Sequence, residues 1–148
     1  MDTFQNHTIT QIGIIVKDIE KTAKDYAALF GVSVPDIIIT DSIDKAHTRY
    51  RGNSTEARAK LAFFNMGSLQ LELIEPDAHP STWREFLDTN GEGVHHIAFN
   101  LKGMNETIDF LDAKGMPLVQ KGEYTGGRYA YIDSNSSLKV MLELLEND

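Results

Sequence analysis

Two stretches of the chain carry the same succession of patterns. Gln11-Ile12-Gly13-Ile14-Ile15-Val16 is a largely apolar, β-branched run, and His96-Ile97-Ala98-Phe99-Asn100-Leu101 is another. Both read as strands. After the first, Asp18 stands where a side-chain oxygen meets the unpaired amides of a first helical turn. Ile19, Ala23, Tyr26, Ala27 and Phe30 then recur at helical spacing, and Gly31 supplies the stop. After the second strand, Met104, Ile108 and Leu111 repeat the stripe, with Gly115 as the stop and Pro117 just beyond. Further on, Leu71-Glu72-Leu73-Ile74-Glu75 returns as Leu142-Glu143-Leu144-Leu145-Glu146. Element order and the place of the glutamate agree in both copies, which favours duplication over coincidence. The chain therefore reads as one domain, 1–148, made of module 9–76 and module 93–146, each running strand, helix, several strands.

Between the modules, Thr82 to about Asp88 reads as a short helix with Thr82 and Glu85 as a capping box and Trp83, Phe86 and Leu87 on one face. Gly91-Glu92-Gly93 ends the connection. Residues 41–56 are polar and irregular, the length of a binding lid or a mobile loop.

Strand side chains alternate between faces. That rule puts Ile12, Ile14 and Val16 on one side and Gln11, Gly13 and Ile15 on the other. It separates Ile97, Phe99 and Leu101 from His96, Ala98 and Asn100, and turns His95 away from His96. Leu71 and Leu73 oppose Glu72, and Leu142 and Leu144 oppose Glu143. The apolar faces suit packing under helices. The opposite faces hold Gln11, Glu72, His96 and Glu143, one polar ligand-type residue per strand at matching places in both modules. A glutamate inside an apolar strand is costly unless it is paired or bound to a metal.

Composition narrows the chemistry. Fourteen Lys and Arg against 22 Asp and Glu give a net charge of −8, which argues against nucleic acid as a partner. Absence of cysteine removes thiolate metal sites, disulfides and cysteine nucleophiles. No run approaches the ~18 apolar residues of a membrane span, and Met1-Asp2-Thr3-Phe4-Gln5-Asn6-His7 lacks the pattern of a secretion signal. A cytoplasmic protein is the expectation.

With these residues in place, the chain resembles the vicinal oxygen chelate (glyoxalase/bleomycin resistance/dioxygenase) superfamily. The resemblance implies an α+β fold in which two βαβββ modules form a curled mixed sheet around a metal-binding cup. It also implies a homodimer and metal ligands from the first and last strands of each module. Those places hold Gln11, Glu72, His96 and Glu143. The quartet is similar to that of zinc-type glyoxalase I (lactoylglutathione lyase). The strings Ile12-Gly13-Ile14-Ile15-Val16-Lys17-Asp18 and Gly91-Glu92-Gly93-Val94-His95-His96-Ile97-Ala98-Phe99 look more like methylmalonyl-CoA epimerase, whose pattern has His at the place of Gln11.

An amide oxygen, two carboxylates and an imidazole suit one divalent ion, Zn²⁺ first, with Ni²⁺, Co²⁺ and Mn²⁺ as alternatives. An octahedral ion with those ligands keeps two positions for neighbouring oxygens of a small substrate, a 2-oxo compound or a thioester. The implied activity is a lyase or isomerase of glyoxalase I type, removing a proton next to a carbonyl through an enediolate stabilised by the metal. Glu143 is the candidate base, with Glu72 serving the opposite face. The alternatives are an epimerase of the methylmalonyl-CoA kind and a non-catalytic binder of small molecules such as antibiotics. An Fe²⁺ dioxygenase normally uses two histidines and one glutamate, and Gln11 weighs against it. Gly126-Gly127-Arg128 reads equally as a backbone approach to an anionic substrate, with Arg128 binding it, or as a hairpin turn. Arg49, Arg51, Arg58 and Lys60 are further candidates to meet an anionic tail.

Overall fold

In the computed structural model, residues 3–148 are described; Met1 and Asp2, the head of the segment read for a leader, lie outside them. The local signals account for the helix ends. Asp18 accepts from Lys21 N at 3.1 Å to cap α1 (Ile19–Phe30), and Gly31 closes it in the left-handed conformation at φ 66°. The linker helix starts at Thr82, as the sequence implies, but with a different cap. Ser81, not Thr82, accepts from Arg84 N at 2.9 Å, and the Glu85 carboxylate is held by Arg51 and Tyr50 instead.

In chain order the elements are β1 (Gln11–Ile15), α1, β2 (Ile38–Ile39), α2 (Ile43–Ala46), β3 (Arg49–Tyr50), β4 (Asn53–Ser54), β5 (Ala59–Asn65) and β6 (Gln70–Pro76). There follow α3 (Thr82–Asn90), β7 (Gly93–Asn100), α4 (Met104–Ala113), β8 (Leu118–Tyr124), β9 (Gly127–Ile132), α5 (Asn135–Leu138) and β10 (Met141–Asn147). All strands join one mixed, curled sheet in the order β2-β5-β6-β1-β7-β10-β9-β8-β3-β4. β1 and β7 meet antiparallel at its centre, and each lies parallel to the last strand of its own half, β6 or β10. The polar stretch 41–56 is not a free loop. It holds α2 and the β3–β4 pair, which crosses over to extend the far edge through Arg49↔Lys121.

Alternation sorts the faces as read from the sequence. Val16, Leu71 and Leu73 pack with Ile19, Ala23 and Ala27 of α1, while Leu142 and Leu144 pack with Met104 and Leu111 of α4. Each fully buried Ile or Leu there contributes roughly 1.5–3 kcal/mol. On the concave side α3 closes one end of the cup, Trp83 packing with Ile15, Ile74 and Tyr131. Among the described residues no helix is long and apolar enough to cross a membrane.

Candidate metal centre

Register brings the four polar strand residues to one spot. Gly13 is level with both Glu72 of β6 and His96 of β7, and Ala98 is level with both Gln11 and Glu143. Successive strands in a sheet lie ~4.8 Å apart, so same-face side chains from β6, β1, β7 and β10 converge over the middle. His96 Nε2 lies 2.9 Å from Gln11 Oε1, 3.1 Å from Glu143 Oε1 and 3.4 Å from Glu72 Oε1. Ligand atoms of Glu72, His96 and Glu143 all fall within 4.8 Å of one another, and all four residues are buried.

The arrangement has too few protons for its oxygens. One imidazole nitrogen faces three oxygen acceptors, and Oε1 of Glu72 and of Glu143 are buried with no hydrogen-bond partner. Burial and the neighbouring Glu143 charge push the Glu72 carboxyl up to about 8, with His96 opposing. Burial also works against a charge on His96, yet the Glu143 and Glu72 carboxylates outweigh it and hold that imidazole above its ordinary pKa. Two buried carboxylates with unspent lone pairs beside an imidazole and an amide oxygen are the donor set of a divalent cation. The residues fit a metal.

Three neighbours shape the centre. Gln70, level with Gln11 on the parallel strand, accepts from Gln11 Nε2 at 2.7 Å and so turns the amide oxygen toward His96. Gly13 makes room: a Cβ there would fall inside the His96 imidazole. His95 is the third. Strand parity turns it away, but the register jumps from Gly13↔His96 to Ile14↔Val94, leaving His95 as the extra residue of a bulge. Its ring packs edge-on to Phe86 and Tyr131, and its Nδ1 lies 2.9 Å from His96 Nδ1, so one ring donates and the other accepts. Burial first, and then the nearby His96 charge, keep His95 neutral. Gly13 carries a sequence signal, a glycine inside a strand; Gln70 and His95 depend on register, which the sequence does not display.

The cup above the centre has a volume of about 570 Å³. Gln11, Glu72 and Glu143 form its floor, Leu61, Phe63, Trp83, Tyr129 and Tyr131 its walls, and Ile38, Ile39, Asp41, Glu123 and Tyr124 its mouth. Tyr131 O–H accepts from Trp83 Nε1 at 3.0 Å, and Tyr129 O–H from Gln120 Nε2 at 3.1 Å; burial raises the pKa of both phenols. Arg128 is not part of the cup. Gly126, at φ 90°, sits in the β8–β9 hairpin turn, and the Arg128 guanidinium pairs with Glu146 at 3.2 Å and Asp148 at 2.9 Å.

The sequence pattern of the Glyoxalase/Bleomycin resistance protein/Dioxygenase superfamily matches residues 10–131. The uncharacterized protein YqjC of Bacillus subtilis (strain 168) is 34% identical over 94 residues, which are 62% of this chain and 67% of that protein. The mitochondrial methylmalonyl-CoA epimerase of Homo sapiens is 25% identical over 107 residues, 72% of this chain but only 53% of the human protein. Methylmalonyl-CoA epimerase from Mycobacterium tuberculosis shares the fold with a TM-score of 0.64 at 20% identity, covering 100% of this chain and 93% of that one.

Proposed function

The chain belongs to that superfamily, and on this footing we propose that it is a metal-dependent enzyme that moves a proton on the carbon next to a carbonyl. The observation that carries the reading is the pair of buried carboxylates, Glu72 and Glu143, each with an unpartnered oxygen and brought together with His96 from separate strands. Gln11, Glu72, His96 and Glu143 would hold the ion, Zn²⁺ by the chemistry of the set. A divalent ion bound there supplies Lewis-acid stabilisation of negative charge developing on a carbonyl oxygen. Glu143 takes the proton from the carbon, and Glu72 faces that carbon from the other side. Gln70 and His95 keep Gln11 and His96 aimed at the centre through their 2.7 Å and 2.9 Å contacts. The walls exclude water from the reacting carbon.

Two carboxylates on either side of one carbon can take a proton from one face and return it to the other, which is epimerisation; the epimerases among the relatives support this form. The second reading, a lyase of glyoxalase I type, is favoured by the Gln, Glu, His, Glu composition of the quartet. Proton NMR in D₂O on zinc-loaded protein separates them. Deuterium entering the α-carbon of a chiral acyl thioester with loss of its configuration marks the epimerase. Conversion of a 2-oxoaldehyde hemithioacetal to a 2-hydroxy thioester marks the lyase. Neither exchange nor conversion leaves a binding protein.

A further inference from the structure

Every charged side chain lining the cup is acidic: Glu72 and Glu143 on the floor, Asp41 and Glu123 at the mouth, with no lysine or arginine among the described lining residues. The cations in the sequence that could meet an anionic tail are engaged by other groups. Arg51 is paired with Glu85 at 2.8 Å, Lys60 with Glu75 at 3.7 Å, and Arg58 Nε donates to the Thr40 carbonyl at 2.8 Å. Arg49 donates to the Gly52 carbonyl. His47 lies outside the lining, its Nδ1 2.6 Å from Glu123 Oε2.

A divalent ion on the floor would cancel the two glutamates beneath it, leaving Asp41 and Glu123 as the charged groups of the mouth, with His47 on Glu123 and no lysine or arginine in the lining. A narrow cup with low-dielectric walls focuses that field on whatever enters. The walls themselves, Phe63, Leu61, Tyr129 and Tyr131, offer apolar and aromatic contact. We infer that the part of the substrate entering the cup is an apolar, uncharged carbonyl compound, aryl or alkyl, that brings its chelating oxygens but no further anionic group. A malonyl-type acyl group with a free carboxylate is disfavoured, whereas a thioester of a neutral acyl chain fits, its carrier remaining outside. This inference rests on the reading of the cup as a metal site.

Calorimetry on zinc-loaded protein tests it with three matched probes: benzohydroxamate, its 4-carboxy derivative and its 4-trimethylammonio derivative. Benzohydroxamate and the cationic probe are expected to bind at least about tenfold more tightly than the carboxylate probe, the scale of one like-charge encounter at partly screened range. The gap is expected to narrow at 1 M salt, where screening shortens to about 3 Å, and in the Asp41→Asn, Glu123→Gln double variant. The ranking in the unaltered protein decides by itself should that variant fold poorly. Carboxylate binding as tight as the neutral probe, with all three still dependent on zinc, overturns this inference and leaves the metal reading standing. Binding that ignores zinc, or no binding at all, removes the metal reading and this inference together.

Discussion

His96 has one nitrogen for three oxygens, and that imbalance decides what its loss does. His96→Ala takes away the only nitrogen ligand of the set and leaves two buried carboxylates facing each other. Zinc affinity is expected to fall by more than the ~10-fold typical of losing even an outer partner; competition with a chromogenic chelator measures it, and unchanged affinity would displace the centre. Glu143→Gln keeps an oxygen donor but no longer accepts a proton. Turnover is expected to drop ~10²–10⁴-fold at equal zinc content, and retained turnover would move the base to Glu72. These four residues were legible in the sequence because strand alternation puts Gln11, Glu72, His96 and Glu143 of β1, β6, β7 and β10 on one face. The same alternation applied to β9 puts Arg128 with Ala130, away from Tyr129 and Tyr131, and the structure pairs it with Glu146. His95 escaped because a bulge suspends alternation for one residue.

The centre is held as much by the strands between its ligands as by the ligands. β1 contributes Gln11, and at residue 13 it also leaves room for the imidazole of the neighbouring strand: a Cβ there would overlap the His96 ring. Gly13→Ala therefore drives His96 out of place. Overpacking of this kind costs ~1–3 kcal/mol, so urea unfolding should shift by that much while zinc affinity falls. Preserved zinc affinity at normal stability would show that the imidazole has another position available. The helix ends follow similar local rules. Asp18 and Gly31 were readable because both act within a turn of the residues they cap. α3 starts at Thr82 as the sequence implies, but its cap is Ser81 rather than Thr82: the two carry equivalent hydroxyls, and which one caps is settled by tertiary contacts, Gln120 Oε1 accepting from Thr82 N and Arg51 drawing Glu85 away. The β3–β4 extension was hidden for the same reason, its partner β8 lying in the other module.

For the molecule as a whole, burying Glu72 beside Glu143 is a cost that a bound divalent ion would convert into stability. Burial first, and then the Glu143 charge, push the Glu72 carboxyl of the native chain from its ordinary 4.5 up to about 8. Across that window the native state binds more protons than the unfolded chain, so its stability falls as pH rises. His96, raised above its ordinary 6.5, acts in the same direction, its contribution being lost as pH climbs through its native value. His95 is held below 6.5 and acts oppositely, but only beneath that pH. The window from about 6.5 to 8 is thus free of opposition among these groups. Zinc needs the deprotonated carboxylates, and its stabilisation grows over that same window. At a hundredfold excess over Kd it is worth about 2.7 kcal/mol, a rise in Tm of roughly 5–10 °C for a chain of this size. Thermal melts at pH 6.5 and 8, with chelator and with zinc, give the comparison: the metal-free Tm is expected to fall between the two while the gap opened by zinc widens. A metal-free Tm that climbs, together with a zinc effect independent of pH, would mean that the two glutamates do not share one buried site.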